Sequence, residues 1–266
     1  MRRITLASIF ALALAASAIS FAAGTPVETP LGQCMAGGDT ITLSLREDTA
    51  GKSVLVMAAG NATSRQSFNL QTPCLQQIDK TLAAPLKFDA IDTADPNNLV
   101  AGFGTRCAAG DAKWVSVWLS KSAGHWTLRG EWSVEKFNRQ ELGEKNETQT
   151  FAFDAGGILR RSVSRNNIEG IKTTCPQGCC IAWQSKTMVT EELETLAWAE
   201  TTQSPERKTF QKWYIAQFGD GVMSIAKKVH GDPSRMTTLL RLNPQLQKQE
   251  KLEENQKVLV EQVGIK

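Results

Sequence analysis

The sequence predicts an α+β protein in two parts: a disulfide-containing, mainly antiparallel β domain over residues 23–204 and a small β-α-α-β domain over residues 205–266. Three observations favour this division. Short runs of alternating apolar and polar residues dominate the first part. All 6 cysteines precede residue 205. In the second part, two amphipathic helical patterns lie between two strand-like runs.

Residues 1–22 have the layout of a secretory signal peptide. Arg2 and Arg3 precede an apolar run from Ile4 to Phe21 that ends in small residues, and cleavage near Ala22 fits this pattern. An uncleaved membrane anchor is the alternative, because the run approaches the roughly 18 residues that can span a bilayer. No later segment is as long and apolar. We therefore expect a periplasmic or secreted protein with no membrane span after cleavage.

The 6 cysteines of an exported chain predict structural disulfides. An even count in an oxidising compartment is typical of two or three bridges, and the sequence does not fix their pairing. Metal binding or thiol chemistry is the alternative, although the spacing typical of redox and zinc sites is absent. The candidate residues are Cys34, Cys74, Cys107, Cys175, Cys179 and Cys180.

Alternating runs separated by Gly, Asn, Asp and Pro clusters predict the strands of the first part. Helical patterns are limited to Cys74–Leu82 and Thr190–Thr201. A hairpin through residues 121–124 is the clearest local prediction. The predicted strands are Thr40–Arg46, Ser53–Ala58, Lys113–Ser120, His125–Val134, Thr148–Asp154 and Cys180–Lys186.

Four tryptophans occupy the two strands of this hairpin. Trp114 and Trp118 are four residues apart, and Trp126 and Trp132 are six apart. Even spacing places each pair on one face of a sheet. Such a face is more often a buried core than a surface on which sugars stack, and the core interpretation is favoured.

Composition argues against two functional classes. The 30 Lys+Arg and 27 Asp+Glu residues give a net charge of +3, which is too small to predict nucleic acid as a partner. His125 and His230 are the only histidines, so the two or three imidazoles of many zinc hydrolases are not available. From Pro205 onward, 11 basic residues outnumber 7 acidic ones, which favours a boundary there and an anionic polymer as ligand.

No local motif for catalysis, a metal or a cofactor occurs in the sequence. The chain lacks the Gly-x-Ser-x-Gly motif of many serine hydrolases. A pair of distant carboxylates, as glycosidases use, would leave no local motif. The sequence thus predicts a protein without cofactor or metal that is more consistent with binding than with catalysis.

The C-terminal part begins with a strand pattern and a first helix. Lys212–Phe218 is predicted as a strand. Asp220 is placed to cap the helix that follows, and Gly231 is placed to end it. One face of this helix is apolar at positions i, i+3, i+4 and i+7, namely Val222, Ile225, Ala226 and Val229.

A second helix and a closing strand complete this pattern. Asp232 and Pro233 form a helix start signal, and Asn243-Pro244 stops the helix. Lys257–Val260 is predicted as the last strand. The apolar face of the second helix comprises Met236, Leu239 and Leu240.

Residues 211–261 resemble the LysM domain family. Asn255 stands where that family usually has glycine, and asparagine tolerates a left-handed turn. The matching residues are Tyr214, Gly219-Asp220, Ser224-Ile225-Ala226, Leu239, Leu242-Asn243-Pro244, Leu252, Gln256 and Val258.

The resemblance implies a β-α-α-β fold that binds glycans containing N-acetylglucosamine, usually peptidoglycan or chitin. It places the binding groove between the loop after the first strand and the loop after the second helix. Asp220 can cap the first helix, contact the glycan, or do both. The implied contact residues are Gly219, Asp220, Gly221, Val222, Asn243, Pro244, Gln245 and Leu246.

The sequence and the resemblance together favour an exported, non-catalytic envelope protein. In this interpretation the C-terminal part binds peptidoglycan and the β-rich part faces another envelope protein. Two alternatives remain. One is a cell-wall enzyme that the C-terminal part concentrates on its polymer. The other is a scaffold of a secretion or pilus apparatus with a degenerate LysM region.

Overall fold

A computed structural model describes most of the chain as β-sheet. The described residues are 28–36, 38–48, 52–60, 64–71, 89–92, 97–106, 112–139, 143–154, 156–174, 181–249 and 251–264. They form the strands β1 (Thr29–Ala36), β2 (Asp39–Glu47), β3 (Ser53–Ala59), β4 (Ser64–Asn69), β5 (Asp89–Asp92), β6 (Asn98–Arg106), β7 (Ala112–Ser122), β8 (His125–Arg139), β9 (Gly143–Phe153), β10 (Leu159–Thr174), β11 (Ile181–Ala199), β12 (Ser204–Ile215) and β13 (Lys257–Val263). The α-helices are α1 (Val222–His230) and α2 (Met236–Leu242).

The strands form two antiparallel sheets, and within each sheet the strands that pair are neighbours in sequence. A four-stranded sheet contains β1 to β4 in order, and a nine-stranded sheet contains β5 to β13 in order. The predicted hairpin is confirmed as β7 and β8, which turn through Ala123 and Gly124 with positive φ angles of 50° and 81°. Such angles are typical of the two-residue turns that match the twist of a hairpin.

The small sheet packs on β6, β7 and β8 of the large sheet. The alternating apolar residues of both sheets form this first core, in which Ile41, Leu43 and Leu55 face Phe103 and Val117. The side chain of Gln66 also crosses the interface, because its Nε2 donates to the Trp126 carbonyl at 3.0 Å. The alternation that predicted these strands therefore reflects burial of one face of each sheet.

The nine-stranded sheet folds back on itself at the β8–β9 hairpin. Pairing between β8 and β9 is confined to Lys136–Arg139 and the facing residues of β9, whereas β9 pairs with β10 over most of its length. The two halves of the sheet enclose a second core. Its residues are Val100, Trp118, Phe151, Leu159 and Leu196, with Trp132, Phe153 and Trp198 packed against them.

The predicted burial of Trp118 and Trp126 is confirmed, but the prediction that Trp126 and Trp132 lie on one face of a sheet is wrong. Trp118 and Trp126 are buried, as the core interpretation predicts. Trp126 nevertheless belongs to the first core, whereas Trp132 packs on the second core. The register shifts between Trp118 and Leu119 of β7, opposite Gly130 and Leu128 of β8. This β-bulge reverses the facing of later residues, so the even spacing of Trp126 and Trp132 no longer keeps them on one face.

The predicted helix at Thr190–Thr201 is wrong, because nearly all of this segment lies in β11. Its strand pairs with β10 on one side and β12 on the other. Hydrogen bonding along both edges outweighs the helix propensity of its Glu, Leu and Ala residues. The other predicted helix, Cys74–Leu82, lies outside the described residues.

The description of the β-rich part as disulfide-containing is corrected at Cys34. This residue is the single cysteine among those that the structure describes, and it is a free thiol. Its side chain packs against the first core, where cysteine acts as a small apolar residue. Burial raises the pKa of its thiol to about 11. The other five candidates, Cys74, Cys107, Cys175, Cys179 and Cys180, lie outside the described residues.

The predicted α+β class with its small β-α-α-β domain is also wrong. The described residues are mostly β, and the two α-helices contain only 9 and 7 residues. β12 begins at Ser204, one residue before the predicted start of the second part, and pairs with β11 as well as β13. Both C-terminal strands therefore extend the nine-stranded sheet. No helix among the described residues is long and apolar enough to cross a membrane.

Candidate functional site

The helices between β12 and β13 enclose a C-terminal core. Gly221 is the N-cap of α1, and Gly231 ends that helix with a left-handed φ of 73°. Asp232 accepts a hydrogen bond from the Ser234 amide at 2.8 Å and starts a 3-10 turn that leads into α2. The predicted helix faces are thus buried. The core residues are Tyr214, Ala216, Ile225, Ala226, Leu239, Leu246, Leu252, Val258 and Val260.

The carboxylate of Asp220 is the centre of a buried hydrogen-bond network. The Tyr214 hydroxyl donates to Oδ2 at 2.8 Å, and the Gln217 amide donates to the same oxygen at 2.9 Å. Oδ1 accepts from the Lys228 ammonium at 2.6 Å and from the Ser224 hydroxyl at 3.1 Å. This network ties the end of β12 to α1 and fixes the loop between them.

The network also determines the ionisation of its members. Burial favours the neutral acid, but hydrogen bonds from Lys228, Gln217 and Tyr214 outweigh it and lower the pKa of Asp220 below its usual value. Burial and the adjacent carboxylate raise the pKa of the Tyr214 phenol. Asp220 is therefore a charged structural residue at neutral pH.

The predicted capping role of Asp220 is corrected by this geometry. Its carboxylate accepts from the Gln217 amide, which precedes the helix, and Gly221 occupies the N-cap position. The Ser224 hydroxyl accepts a hydrogen bond from the Gly221 amide at 3.0 Å, so this amide at the helix start has a partner. The Asp220 side chain is only 4% exposed.

Asn243 connects α2 to β13. Its Nδ2 donates to the carbonyls of Leu239 at 2.8 Å and Leu259 at 2.7 Å, and its Oδ1 accepts from the Leu259 amide at 2.9 Å. Leu246 is buried in the C-terminal core. Asn243 and Leu246 therefore support the second predicted loop from below.

The remaining predicted contact residues form the surface of the two loops. Gly219, Pro244 and Gln245 are exposed, and Gly221 and Val222 are half-buried. Val222 packs against the C-terminal core that contains Leu246, so both loops border one core. The structure thus separates the eight predicted residues into five at the surface and three beneath it.

Sequence reasoning missed two apolar side chains beside the first loop. Phe218 is 91% exposed and Met223 is 58% exposed. Phe218 follows the end of β12, which stops at Ile215, whereas the predicted strand extended to Phe218. A large aromatic residue immediately before Gly219-Asp220, in a loop position, is the signal that could have identified it.

A second surface feature lies on the outward face of β9, β10, β11, β12 and β13. We call it the outer groove. Its volume is about 500 Å³, and Lys257 and Leu193 form part of its wall. The residues that give it chemical character are Thr148, Thr150, Ser162, Ser164, Glu191 and Trp213.

Residues of the outer groove alternate with the buried residues of the same strands. On β9 and β10, Phe151 and Leu159 face the second core, so Thr150 and Ser162 face outward. On β12, Tyr214 is buried in the C-terminal core and Trp213 faces the opposite side. The Lys257 ammonium contacts the Glu191 carboxylate at 2.6 Å.

Two smaller findings concern metal binding and the turn at Asn255. In the part of the chain that the structure describes, no group of three His, Cys, Asp or Glu side chains could hold a metal ion. Asn255 has a left-handed φ of 66°, which confirms the turn expected at this position.

Comparison with known proteins adds no family to these observations. No protein-family model, no curated protein and no solved structure matches the chain.

Proposed function

We propose that this chain is an exported, non-catalytic protein of the cell envelope that binds a polymer containing N-acetylglucosamine, such as peptidoglycan. The contact surface is formed by the loops Gly219–Val222 and Asn243–Leu246, together with Phe218. The β-rich part presents a surface to another envelope protein. The signal-like leader and the resemblance of residues 211–261 to the LysM family support the location and the ligand.

The observation that carries this proposal is the exposure of Phe218 beside Gly219. Burying a phenylalanine side chain is favourable by about 1.5–3 kcal/mol of free energy. The Phe218 side chain is 91% exposed, so this free energy can be gained when a ligand covers the ring. An aromatic ring offers a flat apolar surface to the C–H face of a sugar. The exposed turn at Gly219 lies beside it, where the loop backbone can contact acetamido groups.

The buried residues beneath the loops make this surface rigid. The Asp220 network holds the segment from Tyr214 to Ser224, and Asn243 holds the second loop against β13. A surface that is already ordered loses less conformational entropy when a ligand binds. Asp220 and Asn243 therefore act as positioning residues, and Phe218 acts as a contact residue.

The environment of the buried acids supports binding rather than catalysis. Glu194 contacts Arg161 at 2.7 Å and Arg207 at 2.8 Å, and Glu192 contacts Arg165 and Lys212. A general acid for glycoside cleavage requires a raised pKa. For Glu192, burial opposes ionisation, but Arg165 and Lys212 lower its pKa below the usual value, which is typical of a structural carboxylate.

The proposal is tested by sedimenting the chain without residues 1–22 with insoluble peptidoglycan while turbidity is followed. We expect the protein to pellet without clearing the suspension. Phe218→Ala should weaken binding about tenfold, equivalent to about 1.4 kcal/mol. Met35→Ala, a change at another exposed apolar residue, is the matched control and should bind like the wild type.

Three results would contradict the proposal. Clearing of the suspension would identify a cell-wall enzyme. Failure of the wild-type protein to pellet would favour a protein-interaction scaffold. Equal binding by wild type and Phe218→Ala, with both proteins folded, would show that the loop surface is assigned incorrectly.

A further inference from the structure

We propose that the outer groove is a second saccharide-binding surface, with Trp213 as its stacking platform and short hydroxyl side chains as its hydrogen-bonding groups. The inference rests on the proposed function for the identity of the polymer, and on the sheet geometry for the site. It assigns a role to the outward face of β9 to β13, which is separate from the loop surface.

The strand register places the groove residues in two parallel rows. Thr148, Ser164, Glu191 and Trp213 are successive partners across four strands. Thr150, Ser162 and Leu193 form the adjacent row. Three inter-strand spacings of about 4.8 Å give the first row a length of roughly 14 Å. This is an extended surface, suited to a segment of a chain rather than to a single small molecule.

The side chains of the rows match a polyol. Serine and threonine hydroxyls donate and accept hydrogen bonds, as sugar hydroxyls do, and the Glu191 carboxylate accepts them. Thr148, Thr150, Ser162 and Ser164 are exposed, so these groups are accessible. Trp213 is half-buried on the outward face and lines the groove, so its indole provides an apolar platform at the end of the row.

The charges of the groove favour a neutral ligand. Lys257 and Glu191 compensate each other in an ion pair at 2.6 Å. The Glu192 side chain points to the opposite face, where Arg165 at 2.5 Å and Lys212 at 3.1 Å hold it, and so adds no free charge to the groove. An anionic or cationic ligand would have to displace one of these partners. A saccharide segment built from N-acetylglucosamine requires no such exchange.

Calorimetric titration with the β-1,4-linked hexamer of N-acetylglucosamine tests this inference on the chain without residues 1–22. Thr150→Arg places a long cation in the groove and should weaken hexamer binding at the groove about tenfold, while binding at the loop surface is retained. Ala152→Arg is the matched control, since it makes the same change at an exposed residue two positions further along β9. It should bind like the wild type.

A second pair of variants tests the stacking platform. Trp213→Ala should weaken binding about tenfold, and Trp213→Phe should restore most of it because an aromatic face is retained. Circular dichroism and the thermal midpoint identify any variant that fails to fold. Thr150→Arg tests the groove independently of the fate of Trp213→Ala.

The outcomes separate the two proposals. If Phe218→Ala weakens hexamer binding and folded Thr150→Arg does not, the groove proposal is overturned and the loop surface stands. If Thr150→Arg and Trp213→Ala weaken binding and Phe218→Ala does not, the groove is supported and the loop assignment is overturned. If the wild type does not bind the hexamer, both are overturned.

Discussion

At the level of single residues, the Asp220 carboxylate organises the loop that we propose as a glycan surface. Its position before an apolar helix face indicated a helix cap. The sequence could not show that Tyr214 and Lys228 converge on it, because this depends on how β12 packs against α1. Asn255 could be predicted, since a left-handed turn is a property of one residue and its neighbours.

Asp220→Asn should destabilise the protein by about 2 kcal/mol, because the ammonium of Lys228 loses its carboxylate partner and the buried network is broken. Lys228 is partly exposed, so water compensates some of the loss. Urea unfolding measures this effect. Glu254→Gln, at an exposed acid near the same core, is the control and should leave stability unchanged. Equal stability of wild type and Asp220→Asn would contradict the structural role.

The stability of the protein should decrease in acid. The pKa of Asp220 is lowered in the folded state, so its contribution is fully present above the unfolded pKa of about 3.9 and is lost as pH falls through the folded pKa. Glu192 acts in the same direction. Burial opposes its ionisation, but Arg165 and Lys212 lower its pKa overall.

Urea unfolding at a series of pH values between about 7 and 3 tests this dependence. The free energy of unfolding should change little near neutrality and should fall most steeply below about pH 4. Asp220→Asn removes one of the carboxylates whose pKa is lowered, so its profile should be less steep. A steeper profile for this variant, or greater stability in acid, would contradict the assigned ionisation.

At the level of secondary structure, alternation identified strands and apolar spacing identified α1 and α2, whereas residue propensity misassigned part of β11. β2, β3, β7 and β8 were predicted because each buries one face. β11 was partly predicted as a helix, because its Glu, Leu and Ala residues favour one. Its neighbours β10 and β12 decide the outcome through pairing that the local sequence does not contain.

The inward face of β11 depends on a buried ion pair between Glu194 and Arg161, whose side chains are 5% and 10% exposed. Glu194→Ala leaves the Arg161 guanidinium buried without its carboxylate and should cost about 3 kcal/mol. Glu200→Ala removes a largely exposed acid 4.0 Å from Arg129, and should cost less than about 1 kcal/mol. Thermal and urea unfolding compare the two variants. Equal losses would contradict the distinction.

At the level of the whole molecule, the sequence predicted two units and the structure joins them through one sheet. The C-terminal helices and the start of β13 were located correctly from their spacing, whereas the strand before them begins and ends earlier than predicted. The pairing of that strand with β11 was not predicted, because a strand pattern does not reveal which edge it pairs with. The fold of the large sheet at β8–β9 and the bulge near Arg129 are likewise products of long-range packing.

The candidate site could be predicted only in part, because a local sequence pattern does not show long-range packing. A local pattern identified the two loops between β12 and β13, but not which of their residues are buried. Phe218 was missed because it was assigned to a strand. The outer groove was missed because its residues come from five strands, and they become neighbours only through the sheet register.

The most direct test of the central claim is an amide chemical-shift titration of the chain without residues 1–22 by the N-acetylglucosamine hexamer. We expect progressive shifts at Phe218–Val222 and at Gln245 and Leu246 that fit one dissociation constant. The first core between the small sheet and β6–β8 should not shift, and it serves as the internal reference. Unchanged amides in both loops at saturating hexamer would contradict the assignment of this protein as a glycan binder through its C-terminal loops.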